Sequence, residues 1–420
     1  MAEIQPLRAL RYDLRTVGSL DAVAAPPYDV IDDDLRAELA ARSPFNVVEI
    51  DLPRADDGDD PYLHAQTTFE AWRQQGVLVR EREPALWPAT QEFTTPDGTP
   101  AVRSGFFCRV RVEDYGAGRI RPHERTQPGP KEDRLRLTRA TRANLSPIFS
   151  LFPDEAGDVW SALEPVTSDE PFGSATDSDG TVTTVWRCAD TAIIERIQSA
   201  LADRELLIAD GHHRYETARI YADEVGGEGE HRYTLMFLCS MSDPGLSVLP
   251  THRLITALDD GKREALRATI ERSFDADPAP STELAPPPGG SDKIEFGYLD
   301  AARQPTRLTL RDPATADHAL ADKPPPYRRL DTAVLEALIL RDALGLTEDD
   351  VANQNGVAYA KSVDEAVTAI DTAAADAAFL LRPTPIEQVR EVAEAGVPMP
   401  PKSTFFFPKV PTGLLFNPLE

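Results

Sequence analysis

Lysine is the rarest charged residue in this sequence, with seven in 420 residues. Lys and Arg together number 44 against 70 Asp and Glu, a net charge of −26. So large a negative excess repels phosphate backbones and argues against general nucleic-acid binding. An anionic ligand would need a locally positive pocket. Cysteine is also scarce. Cys108, Cys188 and Cys239 are far apart and odd in number, which excludes a disulfide framework or a zinc spacing and fits a reducing cytoplasm. No apolar run approaches the ~18 residues of a membrane helix. The opening Met-Ala-Glu-Ile-Gln-Pro-Leu-Arg lacks the basic-then-apolar pattern of a signal peptide, so no membrane partner is expected and the location is read as cytoplasmic. The P-loop, the Rossmann glycine fingerprint, the nucleophile elbow and the zinc-protease His pair are all missing. Cys239 sits in an apolar run, where burial raises a thiol pKa, so nucleophilic cysteine chemistry is unsupported.

What is present is a hydrophobic fraction of 41%, enough for a real core. The patterning reads as α+β. Helices are expected over Asp32–Ser43, Pro61–Gln75, Arg214–Val225, Thr332–Leu344, Asp364–Ala373 and Pro385–Ala395. Strands are expected over Asn46–Leu52, Gly105–Val112, Ile148–Phe152, Leu206–Ala209, Arg232–Met241 and Ala377–Leu381, with a hairpin from Lys293–Leu299 and Pro305–Arg311. His123–Ser146 reads as an ordered, charged loop with a short helix. Residues 275–292 are Pro-, Gly- and Ser-rich and read as a linker or long surface loop. The expected organisation is an N-terminal α/β region (1–115), a catalytic core (116–274), the linker (275–292) and a C-terminal α/β region (293–420). The apolar tail Met399–Phe416 is expected to dock on the core.

The sharpest constellation is Ile208-Ala209-Asp210-Gly211-His212-His213-Arg214, followed by Thr217. A strand runs through a glycine turn directly into a helix, whose first N–H groups and dipole attract anions. Arg214 suits phosphate forks, and His212 and His213 add donors. Asp210 is suited to cap the helix, to orient a His or to hold a magnesium ion. The plainer alternative is a capped helix with satisfied side chains. A second constellation is His123-Glu124-Arg125-Thr126 with Lys131, Arg134, Asn144 and Ser146 behind it, a local excess of positive charge in an acidic chain. Glu124, with His123 as its rival, is the candidate base for a substrate hydroxyl. Two further patches follow: His252-Arg253, and the tail residues Lys402, Ser403, Thr404 and Lys409 around three Phe. For the tail, a structural plug is the favoured reading. Tyr28, behind Pro26-Pro27, reads as packing rather than stacking on a base.

These residues carry a resemblance. The run IADGHHRYETA looks like the nucleotide-phosphate motif of the ParB/sulfiredoxin superfamily, and a similar Asp-Gly-x-His-Arg turn occurs in its free-serine kinases. Over nearly the whole length the chain resembles the DUF1015 family. The matching pieces are Ala25–Ile31, His123–Thr126, the GHHR turn, Leu249–Arg253 and Met399–Lys409. The resemblance implies a ParB/sulfiredoxin-like nucleotide-binding core with additional α/β elements at both ends. A nucleotide phosphate (ATP, ADP or CTP) would sit on Gly211, His212, His213, Arg214 and Thr217 with Mg2+ on Asp210. The activity implied is transfer of a phosphoryl group to a small hydroxylated metabolite, with free serine as first guess. Catalysis would fall to Glu124, His123, Asp210 and His213. Substrate binding would fall to Arg125, Thr126, Lys131, Arg134, Asn144, Ser146, His252, Arg253, Lys402, Ser403 and Thr404. A phosphatase acting on a small phosphoester and a nucleotide-gated regulatory protein stand as alternatives, and homo-oligomerisation is left open. No basic helix-turn-helix follows residue 255, so a DNA-binding role is not expected.

Overall fold

Short apolar strands bounded by Gly, Asp and Pro, alternating with capped helices, build a mixed α and β architecture. A computed structural model describes residues 2–55, 59–116, 119–280, 283–289, 293–302 and 304–420. The chain forms two compact units. The first comprises 1–122, 126–247 and 408–420; the second comprises 123–125 and 248–407.

The first unit is built on a nine-stranded mixed sheet. In chain order its strands are β1 (Ile4–Gln5), β2 (Trp87–Thr94), β3 (Pro100–Arg111), β4 (Ile120–Arg121), β5 (Ile148–Phe152), β6 (Gly173–Thr176), β7 (Val182–Val185), β8 (Leu206–Asp210) and β9 (Tyr233–Ser240). Their spatial order is β4-β8-β5-β9-β3-β2-β7-β6, with β1 beside β3. The central strands β5, β8 and β9 are buried on both faces, which is why they read as continuous apolar runs rather than alternations. Among its helices are α1 (Asp33–Arg42), α2 (Val48–Asp51), α3 (Pro61–Gln74), α4 (Pro128–Thr141), α5 (Thr191–Leu201) and α6 (His212–Val225). Asp32, Asp60 and Asp190 cap α1, α3 and α5 through their side chains. The final residues dock as expected: Leu414, Leu415 and Phe416 are all buried.

Two readings fail here. Asn46–Leu52 is not a strand. The Asn46 side chain accepts from the Val48 N–H at 3.1 Å and donates to Ala22 and Ala24 carbonyls. That side-chain turn, one residue before the N-cap Val47, outweighs the β-branched composition and leads into α2. His123–Ser146 is not chiefly loop, because α4 runs for 14 residues. Its buried face carries Arg134, Thr138 and Thr141 beside Leu135 and Leu137, so a hydrophobic period is hard to see in the sequence.

The second unit holds a six-stranded antiparallel sheet. Its strands are β10 (His252–Ile255), β11 (Phe274–Pro278), β12 (Glu295–Asp300), β13 (Thr306–Leu310), β14 (Val357–Ala360) and β15 (Ala377–Leu380), in the order β11-β13-β12-β15-β10-β14. The expected hairpin is β12–β13. Of the expected linker 275–292, Asp275–Pro278 belongs to β11 and Leu284 is fully buried. Residues 281, 282 and 290–292 lie outside the described residues. The helix expected over Thr332–Leu344 begins as a short α-helix, Asp331–Leu335, and continues as a π-helical turn, Glu336–Arg341.

Candidate anion-binding site

In the first unit, β8 ends in a polar turn. The register of β8 against β5 shifts between Ile208 and Asp210, a bulge at Ala209. Bulges re-aim a side chain where a strand ends, and the next residue here is Asp210. Gly211 then takes φ 98° and ψ 29° as the N-cap of α6, a left-handed conformation that costs a residue with a side chain more than it costs glycine. A Cβ at Gly211 would also meet the Arg214 guanidinium at 3.0 Å. Gly211, as the N-cap, makes no side-chain capping bond to the 14-residue helix. The capping role considered for Asp210 is therefore not taken up.

Asp210 instead gathers cations. Its Oδ1 accepts from Lys409 Nζ at 2.6 Å and its Oδ2 from Arg214 Nη2 at 2.6 Å. Arg214 Nη1 donates to the Pro147 carbonyl. The side chains of Asp210, Arg214 and Lys409 are 14%, 10% and 18% exposed. Burial works to raise the Asp210 pKa, but Lys409, Arg214 and more weakly His212 overrule it and hold the carboxyl well below the usual range. Two buried cations thus share one carboxylate at a helix N-terminus. His212 is buried; His213 accepts the Gln127 N–H on Nε2 at 2.9 Å, which places a neutral ring's proton on Nδ1.

A small pocket of about 40 Å³ opens beside Arg214 and Thr217. Asp51, Arg134, Asn144 and Ser146 also line it. Arg134 donates to the Asp51 carbonyl at 2.8 Å and to Oδ1 at 3.2 Å, and its guanidinium lies 4.2 Å from the Tyr28 ring centroid. Ser146 Oγ donates to Asp51 Oδ2 at 3.1 Å. Burial raises the Asp51 pKa, and Arg134, Ser146 and Arg214 pull it down without cancelling that rise. Tyr28 packs here, as expected, with its hydroxyl pushed up to about 12 by burial. Thr217 is buried against the Lys131 carbonyl at 3.5 Å. Asn144 is spent on structure: its Oδ1 accepts from the Leu235 N–H and from Asn417.

The remaining candidates divide between the units. Thr126 and Lys131 belong to the first unit. His123, Glu124, Arg125, His252, Arg253, Lys402, Ser403 and Thr404 belong to the second. There His123 is fully buried, with Nε2 2.8 Å from Thr404 Oγ1. Glu124 is half-buried, and exposed Arg125 pairs with Glu348 at 3.3 Å. Arg253 donates to the Pro401 and Lys402 carbonyls. Ser403 Oγ donates to the Pro400 carbonyl at 2.7 Å, and Lys402 is exposed at φ 54°. These bonds fasten Pro400–Thr404 to its own unit, which matches the structural plug favoured for the tail.

His252 is spent in the same way. Its Nδ1 accepts the Leu381 N–H at 3.1 Å, and burial, helped by Arg253, pushes its pKa down to about 4. A His held neutral in the folded state contributes stability above its ordinary pKa of 6.5 and loses it as pH falls towards 4. Urea unfolding of the wild type is expected to lose about 3 kcal/mol from this group between those limits, at ~1.4 kcal/mol per pH unit. His252→Asn, which keeps an acceptor, is expected to flatten that part of the profile; an unchanged profile would refute the assignment.

Asp210 does not fit a magnesium ligand, because each of its oxygens already takes a cation. Among the described residues no group of three or more His, Cys, Asp or Glu is placed to hold a metal. The three cysteines are buried and free, and burial raises the Cys239 thiol far above its usual pKa. Among the described residues no helix is long and apolar enough to cross a membrane.

The model of the family described as "Protein of unknown function (DUF1015)" matches residues 4–333, well over half of the sequence. The chain belongs to the DUF1015 family. Lys409 lies beyond the matched stretch of this DUF1015 chain, whereas the Gly211 turn lies inside it. No curated protein matches it. Its likenesses among solved structures are remote. A conserved hypothetical protein from Pyrococcus furiosus shares 13% identity at a TM-score of 0.37, over 73% of this chain and 93% of that one. A free serine kinase in complex with AMP shares 12% at 0.38, over 71% and 86%. SbnI from Staphylococcus aureus, with a C-terminal truncation, shares 11% at 0.36, over 71% and 82%. Likenesses this distant assign no activity.

Proposed function

We propose that the first unit is a ParB/sulfiredoxin-like nucleotide-binding core and that the protein is a phosphotransferase acting on a small hydroxylated metabolite, with free serine as the first acceptor to try. The observation that carries this reading is the pair of buried cations, Arg214 and Lys409, sharing Asp210 at the uncapped start of α6. A nucleotide phosphate set there would meet backbone N–H groups, a guanidinium and an ammonium. Those are the groups that stabilise a phosphoryl anion without covalent chemistry. The adjoining pocket, with Thr217, Ser146 and Asp51, offers hydroxyl and carboxylate groups to an acceptor. The phosphoryl group passes from the nucleotide to the acceptor oxygen, and the hydroxyl proton passes to a base.

Purified protein is to be incubated with ATP, ADP or CTP and an amino-acid pool, and the products read by mass spectrometry. Nucleotide-dependent gain of one phosphate by a hydroxylated metabolite is expected. Phosphate release from phosphoserine without nucleotide would replace the kinase reading with a phosphatase. Nucleotide-sensitive heat stability without turnover would replace it with a regulatory role. Arg214→Ala is expected to lower nucleotide affinity by at least tenfold. Unchanged affinity in Arg214→Ala would refute the site.

A further inference from the structure

We propose that the C-terminal strap Pro408–Thr412 is a built part of the anion site, with Lys409 as a ligand-contacting cation and Arg103 and Gln91 as its positioning residues. The proposal rests on the phosphate-binding reading above and adds to it how the chain holds Lys409 in place.

Lys409 reaches Asp210 across 199 residues of sequence. Its aim is fixed from behind. The Pro408 carbonyl accepts from Arg103 Nη2 at 2.6 Å, and the Lys409 carbonyl accepts from Gln91 Nε2 at 3.0 Å. Gln91 Oε1 in turn accepts from Arg103 Nε at 3.1 Å, so the two holders brace one another. Further along, Thr412 exchanges backbone hydrogen bonds with Ala25 at 2.8 and 3.1 Å, and its Oγ1 lies 2.8 Å from Ser146 Oγ. The strap is therefore pinned on both sides of Lys409.

The cost of this arrangement points to a purpose. Arg103 is fully buried, with its guanidinium 4.5 Å from the Phe149 ring centroid and two of its bonds directed at the strap and at Gln91. Burying a guanidinium carries a desolvation penalty that apolar docking avoids. The neighbouring Leu414–Phe416 dock the same tail with buried apolar side chains and two backbone hydrogen bonds between Leu10 and Phe416, without a buried charge of their own. Arg103 is thus not needed merely to hold the tail down; what it adds is a fixed backbone under Lys409. An ammonium has three donors on a flexible stem, so it can keep Asp210 and meet a phosphate oxygen together. Asp210 then acts as a bracket that holds Lys409 and Arg214 at the Gly211 turn, ready for an anion that both can contact.

The test is calorimetric titration of the full chain with ADP. Lys409→Ala is expected to weaken binding at least tenfold and to make it less salt-dependent, since one cation–phosphate contact is lost. Lys409→Arg is expected to restore most of the affinity. Arg103→Met is expected to weaken binding in the wild-type background and to have no further effect beside Lys409→Ala. A merely structural Arg103 would weaken both backgrounds alike, and that result would overturn its positioning role. Should Lys409→Ala bind within twofold of wild type while Arg214→Ala does not bind, this inference fails and the phosphate site stands. If the wild type binds no ADP, both fail.

Discussion

Replacing Arg134 with Ala is expected to destabilise the protein by about 3–5 kcal/mol, because it strands a buried carboxylate. The Arg134 and Asp51 side chains are each only 6% exposed. Arg134 supplies the nearest charge to Asp51 and is shared with Asp133, Arg214 acts on Asp51 more weakly, and Ser146 supplies a neutral hydrogen bond. Burial already raises the Asp51 pKa with the partner in place, so the pair only partly offsets its own desolvation. The consequence is an asymmetry. Arg134→Ala alone should be costly, whereas Arg134→Met combined with Asp51→Leu should recover most of the loss, since apolar replacement of a whole buried pair is often neutral. Urea unfolding of the single and double variants measures this. A single variant within ~1 kcal/mol of wild type would contradict the account.

Glu336→Gln is expected to stabilise the protein at pH 8 by about 2–3 kcal/mol and to change little at pH 4. Glu336 opens the π-helical turn of the second unit, and burial pushes its pKa up to about 7. Arg253 pulls the value down, Glu348 pushes it up, and Arg341 and Lys323 pull it down more weakly. A carboxyl with a raised folded pKa contributes stability below its ordinary value of 4.5, and that contribution is lost as pH rises through 7. The wild type should therefore weaken between pH 4.5 and 7 by an amount the Gln variant lacks. Parallel urea midpoints across that range would refute the assignment.

The part of the site that sequence reveals is the part that is local. Asp210, Gly211 and Arg214 lie within five residues, and a strand, a glycine and a helix start announce the turn without any tertiary knowledge. Lys409 belongs to the same corner but arrives from the other end of the chain, and only the cluster of cations around Phe405–Phe407 hinted at it. Asp51 was hidden for a different reason. NVVEIDL has β-branched composition, and the Asn46 side chain that turns it into a helix is held by bonds to Ala22 and Ala24, far back in sequence. Helix α4 was obscured because its buried face is partly polar: Arg134 packs inward on Asp51 and Tyr28. The regular elements fared better, since β8, β9 and the β12–β13 hairpin owe their form to apolar runs and turns that lie within each segment.

The central claim is that the corner between β8 and α6 grips a phosphate. Its most direct test is a crystal structure of the full chain with ADP. The account predicts phosphate density over Gly211, with an oxygen within about 2.7–3.2 Å of a backbone N–H at the start of α6 and of Arg214 or Lys409. A nucleotide bound elsewhere, with Arg214 and Lys409 still closed on Asp210, would contradict it.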